Sequence, residues 1–185
     1  MLRWNPSGVC ITKQIYKHLS QLNTIQLPQH GSRSITPQAN QILKRVWKAK
    51  TLPPLIKAFT WRLIRRALAT ADRAARYSTH SDNLCSACGA VENDAHLFFK
   101  CNLPRAVWWS FTPTITTNNL PDEQDGIHLI FQNLITDATS DSLFIKIIFT
   151  LWYIWKAKND HHFNKKYWTP LQVHNATAAH IDTHS

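Results

Sequence analysis

Five large apolar residues, Phe144, Ile148, Leu151, Trp152 and Trp155, recur at spacings of three and four within "FIKIIFTLWYIWKAK". That period lines one side of a helix. A core helix is the plain reading of this broad face, and a partner-binding or oligomer surface is the alternative. Asp141 or Ser142 suits its start, and Lys156 and Lys158 suit its last turn. A second helical pattern lies upstream in "WRLIRRALATADRAARY". Drawn at 100° per residue, Arg62, Arg65, Arg66, Arg73 and Arg76 fall within an arc of roughly 100°. Leu63, Ile64, Ala67, Leu68, Ala71 and Ala75 fall opposite them. Thr70 is placed to cap a new helix at Ala71, which would split the basic face in two. Trp47 and Trp61 read as core residues at these spacings, with base stacking as the alternative.

Two polar stretches interrupt the apolar periods. "LPQHGSRSITPQANQ" (27–41) and "TPTITTNNLPDEQDG" (112–126) are rich in turn-forming residues and read as loops or linkers. They divide the chain into a lead over 1–41, with a short helix around "TKQIYKHLSQL", and a basic helical block with a cysteine cluster over 42–111. A linker over 112–126, a helical segment over 127–168 and a polar tail over 169–185 follow. Four glycines against eight tryptophans favour bulky helical packing over a glycine-turned β-sandwich. The expected class is mainly α: an irregular helical domain with a small CCHC metal-bound turn, followed by a C-terminal apolar helix.

Charge sharpens the picture. The chain carries 21 Lys and Arg against 11 Asp and Glu, a net +10. Ten of those cations and a single acid, Asp72, lie between Lys44 and Tyr77, so this block alone carries +9. Arginine is the only cation from 62 to 76, which suits bidentate phosphate contacts. The residues expected to touch nucleic acid are therefore Arg62, Arg65, Arg66, Arg73 and Arg76, with Lys57 just ahead of them. A solvated charged face is the plainer alternative. No window approaches the roughly 18 apolar residues of a membrane span, and "MLRWNPSGVCITK" lacks a secretory apolar centre. An intracellular, reducing compartment is expected, nucleus or cytoplasm, in which clustered thiols bind metal more often than they pair.

The cluster itself is "CSACGAVENDAHLFFKC", with the spacing Cys-x2-Cys-x7-His-x4-Cys. Cys85, Cys88, His96 and Cys101 are the expected ligands of a structural Zn2+. One tight turn presents two sulfurs, Gly89 relaxes the backbone behind them, and four protein ligands leave no open position for water. On an ideal helix His96 and Cys101 would stand roughly 140° apart. "HLFF" is therefore expected to be extended or a turn, with Cys101 just ahead of a helix over "NLPRAVWWSF" that holds Pro104 in its first turn. Lys100 and Arg105 are placed to offset the negative charge of a three-thiolate site. Unligated thiols are the alternative, His80 competes as fourth ligand, and Cys10 reads as a small apolar residue.

The order of "VWKAKTLPPLIKAFTWRLIRRALATADRAAR", "CSACGAVENDAHLFFKC" and "VWW" resembles the zinc-binding region of plant non-LTR (LINE-type) retroelement reverse transcriptases. "WNPSGVCITKQIYKHL" and "LWYIWKAKNDHHF" extend the resemblance over roughly 4 to 163. Lys158 departs from it, standing where that family often has Arg, and so does Cys10, where an aromatic is usual. The resemblance implies the same four zinc ligands. It also implies company with a polymerase in an element that copies RNA into DNA.

Catalysis by the chain itself is not expected. No Asp-Asp pair is present for a two-metal polymerase site, the sparse carboxylates do not match an RNase H, and His161 and His162 read as surface residues. Three readings follow. The first is a non-catalytic zinc module that binds RNA, an RNA–DNA duplex or DNA with little sequence preference. The second is a scaffold that docks on a polymerase domain, marked by an exposed apolar patch at Trp152 and Trp155. The third is a decayed retroelement fragment without a selected function.

Overall fold

The computed structural model describes residues 36–77, 82–111 and 141–184. The expected helix near the N-terminus, Cys10, His80 and the stretch 112–140, with its linker, lie outside the described residues. The described residues fall within one compact unit, Ile35–Ser185, and they are helical, with no strand among them.

Helix α1 spans Pro37–Lys48. Its first turn lies inside 27–41, which the polar composition marked as loop. The Thr36-Pro37 step explains the difference. The Thr36 hydroxyl accepts the Ala39 amide at 3.2 Å, and proline at the first helical position has no amide to leave unsatisfied. From there Ala39, Ile42, Leu43 and Val46 are buried along one stripe.

Helix α2 spans Pro54–Ile64 and buries Ile56, Phe59, Thr60, Leu63 and Ile64. The buried Thr60 hydroxyl is satisfied by donating to the Ile56 carbonyl at 2.8 Å. The helix ends in a Schellman cap. The Ala67 amide donates to the Arg62 carbonyl at 2.7 Å and the Arg66 amide to the Leu63 carbonyl at 3.0 Å, while Arg66 takes φ 53°. Glycine usually fills that left-handed position; here an arginine does. After the break, α3 is a single turn, Ala71–Ala74, preceded by Thr70. The single long basic helix is therefore replaced by the two-part arrangement that Thr70 foreshadowed.

Helix α4 spans Asn102–Phe111 and α5 spans Asp141–Asn164. Along α5, Phe144, Ile147, Ile148, Phe149, Leu151, Ile154 and Ala157 are buried, as a core helix requires. Trp152 and Trp155 are half-buried against Phe59 of α2, with ring centroids 5.2 and 6.5 Å away. Lys156 and Lys158 do not close α5, which runs on to His161, His162 and Asn164. Helix α6, Pro170–His184, occupies the stretch whose sequence reads as a polar tail. It packs on α4 and α5 through a narrow seam in which Val173 and Thr177 are fully buried. So narrow a stripe leaves little apolar period to read.

Candidate metal centre

The ligands come from two local structures. The first is a knuckle bounded by a single antiparallel bridge between Leu84 and Val91. The Gly89 amide donates to the Cys85 carbonyl at 2.8 Å and the Cys85 amide to the Ala90 carbonyl at 2.7 Å. These bonds close the turn that carries Cys85 and Cys88. Gly89 sits at φ 74°, and a Cβ there would meet nothing within 4 Å. Backbone conformation alone, not crowding, calls for glycine at this position.

The second structure corrects the expectation for "HLFF". His96–Lys100 is a π-helical turn. It opens on the Asn93 side chain, which accepts the His96 amide at 2.8 Å. It closes where the Cys101 amide donates to the His96 carbonyl at 2.9 Å. An i→i+5 bond takes more residues per turn than an α-helix. Residues 96 and 101, which diverge on an α-helix, thereby become the two ends of one ring. Cys101 then leads into α4, with Pro104 in its first turn.

The four ligand atoms lie within 4.8 Å of one another. Cys101 Sγ is 3.9 Å from both Cys85 Sγ and Cys88 Sγ, and Cys88 Sγ is 3.3 Å from His96 Nε2. A tetrahedron with metal–sulfur bonds of about 2.3 Å has sulfur–sulfur edges of about 3.8 Å. The cluster therefore fits a closed Cys3His zinc site. Cys85, His96 and Cys101 are buried while Cys88 is exposed, so the ion would be reached from the Cys88 side. Without metal the sulfurs share protons unequally. The hydrogen bond from Cys101 pulls the Cys85 thiol down to about 4. The same bond, followed by burial and the charges of Cys85 and Cys88, pushes Cys101 up.

The metal turn is anchored to the core by its own sequence. Leu97, Phe98 and Phe99 are buried between the ligands. The Trp108 indole donates to the Phe98 carbonyl at 2.7 Å, and its ring stacks on Phe99 with centroids 5.7 Å apart. Burying each such ring stabilises the fold by about 1.5–3 kcal/mol, so the turn is held by packing as well as by ligation.

The family profile described as zinc-binding in reverse transcriptase matches residues 12–108, just over half of the chain. The chain belongs to this family. Comparison with curated proteins and with solved structures gave no match. The matched region contains Cys85, Cys88, His96 and Cys101 and ends within α4, ahead of α5 and α6. The family's region is the zinc-binding part of reverse transcriptase, not its polymerase.

The ligand loop carries a second constellation that sequence reasoning passed over. Glu92, only 1% exposed, accepts the Ala71 amide at 3.0 Å and meets Lys158 Nζ at 3.1 Å. Its carbonyl takes the Asp72 amide at 3.2 Å. Asp94, also buried, receives Arg73 Nη1 at 2.9 Å, with Nη2 on its other oxygen. The loop between the second and third ligands is thus tied to α3 and to α5. The available signal was "ENDAH" itself, two acids inside the ligand loop of an acid-poor chain.

The expected nucleic-acid residues end in different surroundings. Arg62 and Arg76 are exposed, and Lys57, Arg65 and Arg66 are half-buried. Arg76 lies 3.6 Å from Asp72, and Lys57 Nζ donates to the Trp47 carbonyl at 3.2 Å. Arg73 faces inward, its guanidinium shared among Asp94 and the Leu68 carbonyl. Trp47 and Trp61, expected in the core, are 54% and 42% exposed. Among the described residues no helix is long and apolar enough to cross a membrane.

Proposed function

We propose that this chain is a non-catalytic module, derived from a plant-type non-LTR retroelement reverse transcriptase, that binds nucleic acid at the template or target. The carrying observation is the charge of the segment ahead of the zinc ligands. From Thr36 to Ala71 there are eight Lys and Arg and no Asp or Glu. Phosphates meet that field through Arg62, Arg65, Arg66 and Arg76 with Lys57, while Arg73 holds the zinc loop in place from inside. Zinc serves as a structural ion that fixes the loop on which α3 rests. The phosphate backbone dominates such binding, so little sequence preference and a steep salt dependence follow.

The test is binding of RNA, DNA and hybrid oligonucleotides across a salt series, with zinc and after chelation. Changing Arg62, Arg65 and Arg66 together to Glu is expected to weaken binding uniformly across sequences and to flatten the salt slope. Equal affinity of parent and triple variant at low salt would overturn the reading. Docking on a polymerase domain is the second reading. Trp152 and Trp155, tucked against Phe59, offer it little, and the exposed Phe163, Tyr167 and Leu171 at the α5–α6 turn are what favour it.

A further inference from the structure

Two tryptophans that the sequence places in the core stand exposed within the basic segment. Trp47, in the last turn of α1, and Trp61, on α2, are 54% and 42% exposed. About half of each residue stays in water, which leaves part of a burial worth about 1.5–3 kcal/mol when complete for a partner to supply.

Their surroundings define what that partner is. Lys57 and Trp61 on α2 and Arg65 at its C-terminal cap follow one another at intervals of four, which places them along one side. Lys57 is also the link to α1, since its ammonium donates to the Trp47 carbonyl at 3.2 Å. Lys57 therefore stands one helical turn before Trp61 and against the backbone of Trp47. Lys44 and Lys48 flank Trp47 in sequence, at three residues before and one after. A hydrophobic protein surface would gain nothing from cations placed at this density around the rings. An acidic peptide would match the charge and leave the flat indoles unused. A chain of phosphates with exposed bases matches both.

Resting on the nucleic-acid reading above, we infer that Trp47 and Trp61 form a stacking platform for unpaired bases, with Lys57 between them on the backbone, so that the module prefers single strands. In a duplex the base faces are already stacked on each other and the rings find no purchase. Stacking on an aromatic ring is tolerant of sequence and independent of counterion release, whereas the arginine contacts are salt-dependent. The two contributions separate experimentally.

The zinc-loaded full chain is titrated with oligo(dT) and oligo(rU) of about fifteen nucleotides, a length that fits known single-strand sites, and with a duplex of equal length, across a salt series. Trp47→Ala and Trp61→Ala are each expected to weaken single-strand binding by about 5- to 100-fold, with the salt slope unchanged. Duplex binding should move less than twofold. Trp61→Phe keeps a ring and should recover most of the loss. Circular dichroism and zinc content, expected at parent values for substitutions at exposed positions, confirm that the variants are folded. Parent-like affinity of both alanine variants for single strands overturns the platform while leaving the arginine reading intact. Equal losses on single strands and duplex also overturn it. A parent that binds no oligonucleotide at low salt overturns both readings together.

Discussion

Lys158 on α5 meets the buried carboxylate of Glu92 at 3.1 Å, joining a helix outside the family match to the loop between the second and third zinc ligands. The contact gives Lys158 a physical role in holding the ligand loop. The ammonium also lies 5.3 Å from the Trp155 ring centre, and the same Glu92 oxygen caps the first amide of α3. One buried charge thus positions three elements.

Removing that partner leaves the Glu92 carboxyl group without its cation in a site with almost no access to water. Lys158→Met is expected to lower unfolding stability by about 2–4 kcal/mol, since breaking a buried pair costs more than the pair contributes. Lys158→Arg should stay within about 1 kcal/mol of the parent, because the charge and much of the reach are kept. Adding Glu92→Gln to the Lys158→Met variant should recover part of the loss. Denaturant unfolding of the parent, Lys158→Arg, Lys158→Met, Glu92→Gln and the double variant is the measurement, and an additive double variant would contradict the pairing.

Arg73 and Arg76 are neighbours on the sequence-derived basic face, yet they should behave oppositely. Arg73 is engaged with buried Asp94, whereas Arg76 is a solvent-side partner of Asp72. Arg73→Gln is expected to cost about 2–4 kcal/mol in thermal or denaturant unfolding. Arg76→Gln should cost less than about 1 kcal/mol, as exposed pairs do, and should show its effect in nucleic-acid binding instead. Comparable stabilities for the two variants would contradict this assignment.

Zinc binding should be coupled to pH with a definite sign. In the metal-free cluster Cys85 is held near 4 by the hydrogen bond from Cys101, so above about pH 5 it has no proton left to release. Cys101, pushed up by that same bond, still carries its proton and must lose it to become a ligand. Apparent zinc affinity should therefore rise with pH, by at least about tenfold per unit between pH 6.5 and 8. Competition with a chelating dye measures the slope, and a flat profile would contradict the ligand assignment of Cys101.

Gly89 is the one residue of the knuckle whose backbone a side chain resists. With φ at 74° and open space around the missing Cβ, Gly89→Ala should cost about 1–2 kcal/mol through conformation alone. Gly89→Asn should cost less, because asparagine visits this region more readily. Zinc competition and unfolding should show the same ranking, alanine below asparagine below glycine.

Several elements were legible before any coordinates. Composition pointed to helices, and the spacing of Cys85, Cys88, His96 and Cys101 pointed to the metal cluster, because ligand chemistry is carried by residue type and short-range spacing. The turn at Gly89 belongs with them. Thr36-Pro37 was legible too, but polar composition outweighed it and the first turn of α1 was read as loop. The break after Ile64 was harder, since the left-handed position is filled by Arg66 where a glycine would have marked the end.

What the sequence by itself determined was the identity of the ligands, the helical class and the concentration of positive charge. The tertiary structure decided how those parts meet. The π turn, packed into the core through Leu97, Phe98, Phe99 and Trp108, brings His96 and Cys101 to one side. Only the fold sends Arg73 inward to Asp94, leaves Trp47 and Trp61 in solvent, and sets Lys158 on Glu92 across more than sixty residues of chain. Short-range chemistry is written in neighbouring residues, whereas the burial of a charge or the exposure of a ring depends on which distant surfaces cover it.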